Sequence, residues 1–293
     1  MQPNDIISMA ADEFVDTDFG VPRFLVQGLL AHNSITLISG KRGHGKTQLA
    51  MTLVKSLING EPFLDRFETS YARVAYVSVD MPVQMLQDRL RNFVEELDRP
   101  DHFFISASPH PIDLMDCTID TAWVAEINDF EPDMVIIDTL RKSHRMDENV
   151  AAACLLLYSQ SKYLFPNTSL IFVHHDRKSY EGTKGTPLEE ETAGTGAWLD
   201  NSDLSMHIKK NRNKLTVRFP RQRWADVEDM PVIQAKFGQN LLIEVDERKK
   251  TSYDRAQELK MRNPEAPVTD IVEKLMDSGV SKAQAWRAAK GEK

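Results

Sequence analysis

The segment that most restricts the fold of this chain is a glycine-rich motif, Gly40-Lys41-Arg42-Gly43-His44-Gly45-Lys46-Thr47, which follows the apolar run 35–39. The motif fits the pattern G-x-x-x-x-G-K-[ST], and a helical pattern begins at its end. A strand, a glycine-rich turn and a helix in this order form a phosphate-binding loop, because backbone N–H groups converge on phosphate oxygens at the positive end of the helix dipole. The alternative interpretation is a glycine-rich turn without a ligand.

The residues that close the motif have defined roles in such a loop. Lys46 is predicted to reach the β- and γ-phosphates of a nucleotide, and the hydroxyl of Thr47 is predicted to ligate magnesium. The predicted nucleotide-binding residues are Gly40, Lys41, Arg42, Gly43, His44, Gly45, Lys46, Thr47 and Gln48.

Apolar runs rich in β-branched residues alternate with helical patterns through most of the chain. Such alternation means parallel pairing with crossover helices, so the predicted fold class is α/β, a mostly parallel twisted sheet with helices on both faces. Four later runs joined by short turns are expected to extend this sheet in antiparallel fashion. The predicted parallel strands are 34–39, 74–79, 134–137 and 170–173, the helices 47–58, 82–97, 121–130 and 150–164, and the later strands 204–209, 214–219, 232–237 and 241–245.

Two carboxylates stand at the carboxyl ends of predicted strands, where α/β sheets place their ligands. Asp138 follows four apolar residues and is predicted to hold magnesium; a turn or helix-capping role is the alternative. Asp80 ends the second strand before Met81-Pro82 and is the candidate general base that orients the attacking water. Asp80 is equally suited to cap the helix that starts at Pro82, and one residue can serve both purposes.

The composition is that of an ordinary globular protein, with 41% hydrophobic and 27% charged residues among 293. No apolar run reaches the roughly 20 residues that a bilayer span needs, and no signal peptide is expected, because the N-terminus lacks a basic start followed by an apolar stretch. Two cysteines, Cys117 and Cys154, cannot form a disulfide framework, which favours a reducing, cytoplasmic setting. No membrane partner is predicted.

Charge is unevenly distributed along the chain. The net charge is −8, which argues against a protein that coats nucleic acid with its whole surface. Residues 247–293 nevertheless carry 11 Lys/Arg and 8 Asp/Glu, whereas residues 1–246 carry 25 and 36. A short charged stretch, 246–253, therefore predicts a boundary between a domain of residues 1–246 and a C-terminal module of residues 247–293.

The C-terminal module is predicted to form three short helices, 253–261, 269–277 and 282–290. Gly279 lies in the turn before the last helix and Ser281 at its N-cap, a pattern typical of a helix-turn-helix. A helical lid or a subunit contact is the alternative. The predicted core is Ile271, Val272, Leu275, Met276, Val280, Ala285 and Ala288, and the residues expected to face outward for recognition are Lys282, Gln284, Arg287 and Lys290.

The chain resembles the RecA-type P-loop ATPases, and among them the RepA-type replicative helicases of plasmids, phages and mobile elements. The resemblance covers roughly residues 20–220 and rests on FLVQGLLAHNSITLISGKRGHGKT, YVSVDMP, VIIDTLRKSHRMDENVA, LIFVHHDRKS and TAGTGAWLDNSD. It implies ATP and Mg²⁺ as cofactors, a homo-oligomer, in this family a hexameric ring, and single-stranded DNA as partner. The family usually has Glu in place of Asp80, and the shorter side chain changes where the water is held.

His174 and His175 match the paired histidines of this family. The resemblance places His175 where related ATPases sense the γ-phosphate at the end of a strand. Neighbouring strand residues point to opposite faces, so a shared metal ion is disfavoured. Sensing, metal binding and plain packing remain the three interpretations of this pair.

The basic stretch Lys210-Asn211-Arg212-Asn213 follows a predicted strand. It resembles the element that ring ATPases project into a neighbour's active site, where the planar charge of Arg suits the transferring phosphoryl group. Alternation is expected to put Lys210 and Arg212 on one face of an extended segment. A basic hairpin turn in solvent is the alternative. Some RepA-type sequences carry an arginine where this chain has Asp203. Its absence here makes Arg212 the candidate for this role.

Residues 176–195 form a long segment without an apolar period, which is usually functional or disordered in a compact domain. The resemblance places this segment in the central channel, with Arg177, Lys178 and Lys184 as candidate DNA phosphate contacts. Three glutamates, 189–191, oppose these basic residues, although sixfold repetition in a ring can still create a positive channel.

The functional interpretation is therefore an ATP-hydrolysing replicative DNA helicase. A DNA-stimulated loader ATPase without unwinding activity and a nucleotide-switched DNA-binding regulator are the alternatives. Origin DNA or a replication protein is a further expected partner of the C-terminal module.

Overall fold

The computed structural model describes residues 7–79, 81–176, 196–225, 227, 230–245, 256, 259–260, 266–277 and 280–291. The chain divides into two compact units, Met1–Val245 and Asp246–Lys293. None of the helices in these described ranges has the length and apolar composition that a bilayer span requires.

Strands and helices alternate through the first unit. The strands are β1 (Phe24–Val26), β2 (Leu30–Ala31), β3 (Ile35–Gly40), β4 (Val74–Ser78), β5 (Phe103–Ala107), β6 (Met134–Asp138), β7 (Ser169–His175), β8 (Leu204–Asn211), β9 (Lys214–Gln222), β10 (Ile233–Phe237) and β11 (Ile243–Val245). The helices are α1 (Ala11–Asp16), α2 (Lys46–Asn59), α3 (Val83–Val94), α4 (Ala122–Asp129), α5 (Ala151–Leu164) and α6 (Ala197–Asp200).

The described residues form a nine-stranded sheet in the order β11-β10-β9-β8-β3-β7-β6-β4-β5. The six strands from β8 to β5 pair in parallel, whereas β9, β10 and β11 add to the β8 edge in antiparallel fashion. The α/β fold class with a mostly parallel sheet, predicted from the sequence, is confirmed. The antiparallel extension expected of four later runs is found for β9, β10 and β11. β8 is a correction, because it pairs with β3 in parallel.

Alternation along the central strands buries both faces of the sheet. In β6, Met134 and Ile136 join the core beneath α2 and α3, whereas Val135 and Ile137 join the core beneath α4 and α5. Period-two side-chain alternation in a strand covered on both faces therefore explains why these runs are continuously apolar. Because β3, β7 and β6 are parallel neighbours, their carboxyl ends lie along one edge of the sheet.

The sequence analysis did not predict β1, β2, β5, α1 or α6. β5 is the edge strand beside β4, and only its first residue, Phe103, is buried, so it lacks the buried apolar run of the inner strands. β1 and β2 form a separate two-stranded ribbon, too short for its pattern to stand out.

The second unit contains α7 (Val268–Asp277) and α8 (Lys282–Lys290). Its core includes most of the predicted apolar set, with Ala289 added. Met276 is a correction, because its side chain is 42% exposed rather than buried. The predicted helix 253–261 lies outside the described residues except at 256, 259 and 260, as do Ser278 and Gly279 of the predicted turn.

Candidate nucleotide-binding site

The turn between β3 and α2 requires glycine at both of its ends. A Cβ atom on Gly40 would lie 2.5 Å from the backbone oxygen of Ile208 on β8. Gly45 has φ +98°, and a Cβ there would lie 2.9 Å from the ring of Phe237 on β10. Because any side chain would collide with these strands, the turn depends on glycine for its close approach to β8 and β10.

Helix α2 begins directly from this turn. The N–H of Leu49 donates to the Gly45 oxygen at 2.8 Å, and the N–H of His44 donates to the Lys41 oxygen at 3.1 Å. The nine predicted nucleotide-binding residues, 40–48, all lie in the turn or in the first turn of α2. The N–H groups that open a helix have no partner within it, which makes this end a site for an anion.

The ammonium group of Lys46 is held beneath the turn, with the residue only 6% exposed. Its Nζ donates to the Gly40 oxygen at 2.8 Å and to the Lys41 oxygen at 3.2 Å. It also lies 3.0 Å from Nδ1 of His175, the last residue of β7. An ammonium group only donates, so Nδ1 is the acceptor in this pair. The lysine of the motif is therefore in direct contact with the end of the neighbouring strand.

Asp138 lies at the carboxyl end of β6 and accepts two hydrogen bonds on one oxygen. Thr47 Oγ1 and Tyr76 Oη each donate to Asp138 Oδ2 at 2.8 Å. Because the Thr47 hydroxyl donates its hydrogen bond to the carboxylate, the lone pairs of the hydroxyl oxygen remain available to a cation. A carboxylate and a hydroxyl are the hard oxygen ligands that Mg²⁺ prefers, so Thr47 and Asp138 fit a magnesium ion.

No group of three or more His, Cys, Asp or Glu side chains suited to hold a metal ion is found in the part of the chain that the structure describes. Two protein oxygens are nevertheless sufficient here, because Mg²⁺ keeps several waters and commonly takes its remaining ligands from substrate phosphates.

Tyr76 is a site residue that the sequence did not reveal. It lies on β4 and is 1% exposed. Burial raises its pKa well above 10.0, and the adjacent Asp138 carboxylate raises it further. The phenol therefore stays protonated and acts as a permanent hydrogen-bond donor to Asp138.

The two histidines at the end of β7 have different surroundings. His175 contacts Lys46, whereas His174 is buried with its ring 5.9 Å from the ring of Trp198. His144 stacks on the same indole at 5.7 Å, and the indole Nε1 donates to the Glu148 oxygen at 3.0 Å. The aromatic cluster around Trp198 thus packs His174, and His175 contacts Lys46 of the phosphate loop.

Lys210 and Arg212 do not lie on one face of an extended segment, which corrects the expectation from alternation. β8 ends at Asn211, which pairs with Lys214, so Arg212 and Asn213 form a two-residue hairpin turn. Arg212 has φ +56° and is exposed. Lys210 remains on the strand, with its ammonium group 5.0 Å from the centre of the Phe237 ring. The positive φ at the turn redirects Arg212 away from the face that Lys210 occupies.

Four predicted site residues lie outside the described residues. These are Asp80, the candidate general base, and the candidate DNA contacts Arg177, Lys178 and Lys184.

A parallel sheet with a glycine-rich turn after β3, a lysine and a threonine opening α2, and a carboxylate at the end of β6 defines the class of P-loop nucleotide-binding proteins. Residues 7–181 match a family model described as the AAA domain. The match covers more than half of the chain, and the chain belongs to this family of AAA-type P-loop ATPases. No curated protein matches the chain.

Proposed function

We propose that the chain is an ATP-dependent DNA helicase of the RepA type, which assembles as a hexameric ring and moves on single-stranded DNA during replication of a plasmid, phage or mobile element. The observation that carries this proposal is the 3.0 Å contact between Lys46 Nζ and His175 Nδ1. It joins the lysine that would bind the triphosphate to the strand end from which the chain enters the segment 177–195.

A second link supports the same route. The N–H of Asp176 donates to the Gly40 oxygen at 3.2 Å, next to the parallel pair formed by Gly40 and His175. A change of position at Lys46 would therefore reach residue 176 through one side-chain contact and one backbone hydrogen bond. The family resemblance assigns the following residues, among them Arg177, Lys178 and Lys184, to DNA.

The site residues have distinct roles in this proposal. Lys46 binds the β- and γ-phosphates, Thr47 and Asp138 hold the magnesium ion, and Asp80 orients the attacking water. A bound magnesium ion supplies positive charge that neutralises the phosphate oxygens. His175 senses the γ-phosphate and passes its presence to β7.

Arg212 completes the site from a neighbouring copy of the chain. Arg212 stands exposed at the tip of the β8–β9 hairpin, a position from which a long side chain reaches outward. An arginine supplied by a neighbour would stabilise charge on the transferring phosphoryl group. Native mass measurement with a non-hydrolysable ATP analogue tests this assembly, and six copies per particle are expected. A chain that stays monomeric with saturating analogue contradicts the ring.

The C-terminal unit is proposed to bind origin DNA or a replication protein. The four predicted recognition residues, Lys282, Gln284, Arg287 and Lys290, are all exposed on α8. A variant with Lys282, Arg287 and Lys290 changed to Glu should lose binding to duplex origin DNA and keep its ATPase rate. Unchanged duplex binding would leave subunit contact as the role of this unit.

Strand displacement tests the proposed helicase directly. A duplex with a single-stranded tail, ATP and Mg²⁺ should be unwound by the wild-type chain and not by Lys46→Ala. ATP hydrolysis without strand displacement, on duplexes with tails of either polarity, would favour the loader ATPase. Nucleotide binding without turnover would favour the regulator.

A further inference from the structure

A carboxylate and a histidine that the proposed function does not use are buried next to the phosphate loop. His207 lies on β8 opposite Ser39 of β3, and Asp176 directly follows β7. Nε2 of His207 is 3.0 Å from Oδ2 of Asp176, and the two side chains are 2% and 1% exposed. A carboxylate oxygen only accepts, so Nε2 of His207 carries the hydrogen in this bond.

Asp176 acts on the loop through both backbone and charge. Its N–H is bonded to the Gly40 oxygen. Burial lowers the pKa of His44, and the charges that act on it are Asp176, which raises the pKa, and then Lys46, Lys41 and His207, which lower it. Asp176 is therefore the charged group with the largest effect on a loop histidine.

Two buried atoms of this cluster have no hydrogen-bond partner among the described residues. They are Oδ1 of Asp176 and Nδ1 of His44. Buried polar atoms in proteins nearly always have a partner. Oδ1 of Asp176 is a hydrogen-bond acceptor, and Nδ1 of His44 becomes a donor when it carries a proton. The two atoms are therefore complementary as hydrogen-bonding groups.

A buried carboxylate beside a phosphate loop creates an electrostatic conflict. The loop is built to attract phosphates, and a carboxylate that faced them would repel them with little screening from solvent. A hydrogen-bond donor that holds the carboxylate at β8 weakens this repulsion, and His207 provides one.

We propose that His207 is a positioning residue of the proposed ATP site, which holds the Asp176 carboxylate against β8, where its charge acts on His44 and is kept from repelling the phosphates. This inference rests on the proposed function in that the loop must bind a nucleotide. Without the His207 N–H, the carboxylate is released next to the loop, and its repulsion grows with the charge of the nucleotide.

The test compares affinities of the full chain for a non-hydrolysable ATP analogue and for ADP, measured by titration calorimetry. His207→Phe should weaken binding of the analogue about tenfold, since a hydrogen bond to a charged group is lost. It should weaken binding of ADP distinctly less. His207→Gln, whose amide N–H replaces the donor, should bind both nearly as the wild type does. Adding Asp176→Asn to His207→Phe removes the charge and should restore the wild-type ratio of the two affinities.

Ser205→Ala is the matched control, since Ser205 is buried on β8 two residues before His207 and its hydroxyl has no hydrogen-bond partner among the described residues. Equal losses for both nucleotides in His207→Phe, or no restoration by Asp176→Asn, would show that His207 only packs the strand. If His207→Phe does not fold, His207→Asn replaces it, because the shorter amide cannot reach Asp176 and the same ratio is measured. A wild-type chain that binds neither nucleotide overturns the proposed function instead.

Discussion

Nζ of Lys46 and Nδ1 of His175 lie 3.0 Å apart, although they are separated by 129 residues in the chain. The contact connects the phosphate loop after β3 to the end of β7, the strand that pairs with β3 in parallel. In the proposed function, Lys46 exchanges its contact with His175 for a contact with the phosphate. The end of β7 thereby responds to the bound nucleotide.

Replacing His175 with Ala should separate binding from coupling. Because Lys46 keeps its two carbonyl partners, nucleotide affinity should change by no more than about threefold, a fraction of one hydrogen bond. The stimulation of ATP hydrolysis by single-stranded DNA should disappear, as measured in a coupled ATPase assay. His110→Ala, an exposed histidine on another loop, is the control. Normal stimulation in His175→Ala would exclude this residue from the coupling route.

Replacing Lys46 with Ala should abolish turnover. In the proposed function the ammonium group lies against the β- and γ-phosphates, so the hydrolysis rate should fall by at least about a hundredfold. Lys55→Ala on the same helix removes a lysine whose partners are Glu61 and Glu96 on the surface, and it should hydrolyse ATP normally. Equal rates in the two variants would contradict the assignment of the loop.

Replacing Tyr76 with Phe should weaken both the fold and the magnesium site. The Asp138 carboxylate loses one of two donors, which should cost about 1–3 kcal/mol of unfolding free energy. The Mg²⁺ concentration for half-maximal hydrolysis should change as well. Tyr158→Phe is the matched control, because Tyr158 is equally buried but its hydroxyl donates to the Trp198 oxygen. If both variants show the wild-type Mg²⁺ dependence, Tyr76 serves stability alone.

Replacing Arg212 with Ala should prevent hydrolysis and spare nucleotide binding, because the arginine would act on a neighbour's nucleotide. A mixture with Lys46→Ala chains should recover part of the activity, since each variant supplies what the other lacks. Lys214→Ala on the same hairpin is the control. Normal hydrolysis by Arg212→Ala alone would disprove the trans-acting role.

Lys162 gives the protein a pH dependence of stability in the alkaline range. Burial lowers its pKa from 10.5 to about 8. Between these values the unfolded chain binds more protons than the folded chain, so unfolding free energy should rise with pH, by up to about 1.4 kcal/mol per unit. Lys162→Met should lack this rise when the two chains are compared by denaturant unfolding from pH 7.5 to 9.5. Parallel slopes for both chains would show that Lys162 keeps its charge in the fold.

The parallel core was predictable because its strands are apolar on both faces. β3, β4, β6 and β7 begin and end within two residues of their predicted bounds. The edge strand β5 could not be predicted in this way, because neither of its faces is fully covered. The apolar pattern of a sequence reflects the burial of its side chains, and an edge strand of a sheet is buried less than an inner strand.

The site was predictable where residues are adjacent in the chain and not where they meet through the sheet. The loop residues and Asp138 follow from a motif and a strand end. Tyr76 and His207 are polar residues inside strands, and their carboxylate partners lie 62 and 31 residues away. The available signal was a hydroxyl or imidazole group among buried strand residues, at Tyr76 in β4 and at His207 in the first half of β8. The hairpin at Arg212 was misjudged because alternation holds only while a strand continues.

Steady-state ATP hydrolysis with and without single-stranded DNA is the measurement that decides whether this ATPase is driven by DNA. We expect Mg²⁺-dependent hydrolysis by the wild-type chain, a several-fold increase on addition of single-stranded DNA, and neither in Lys46→Ala. A wild-type chain whose hydrolysis rate is the same with and without single-stranded DNA would contradict this expectation.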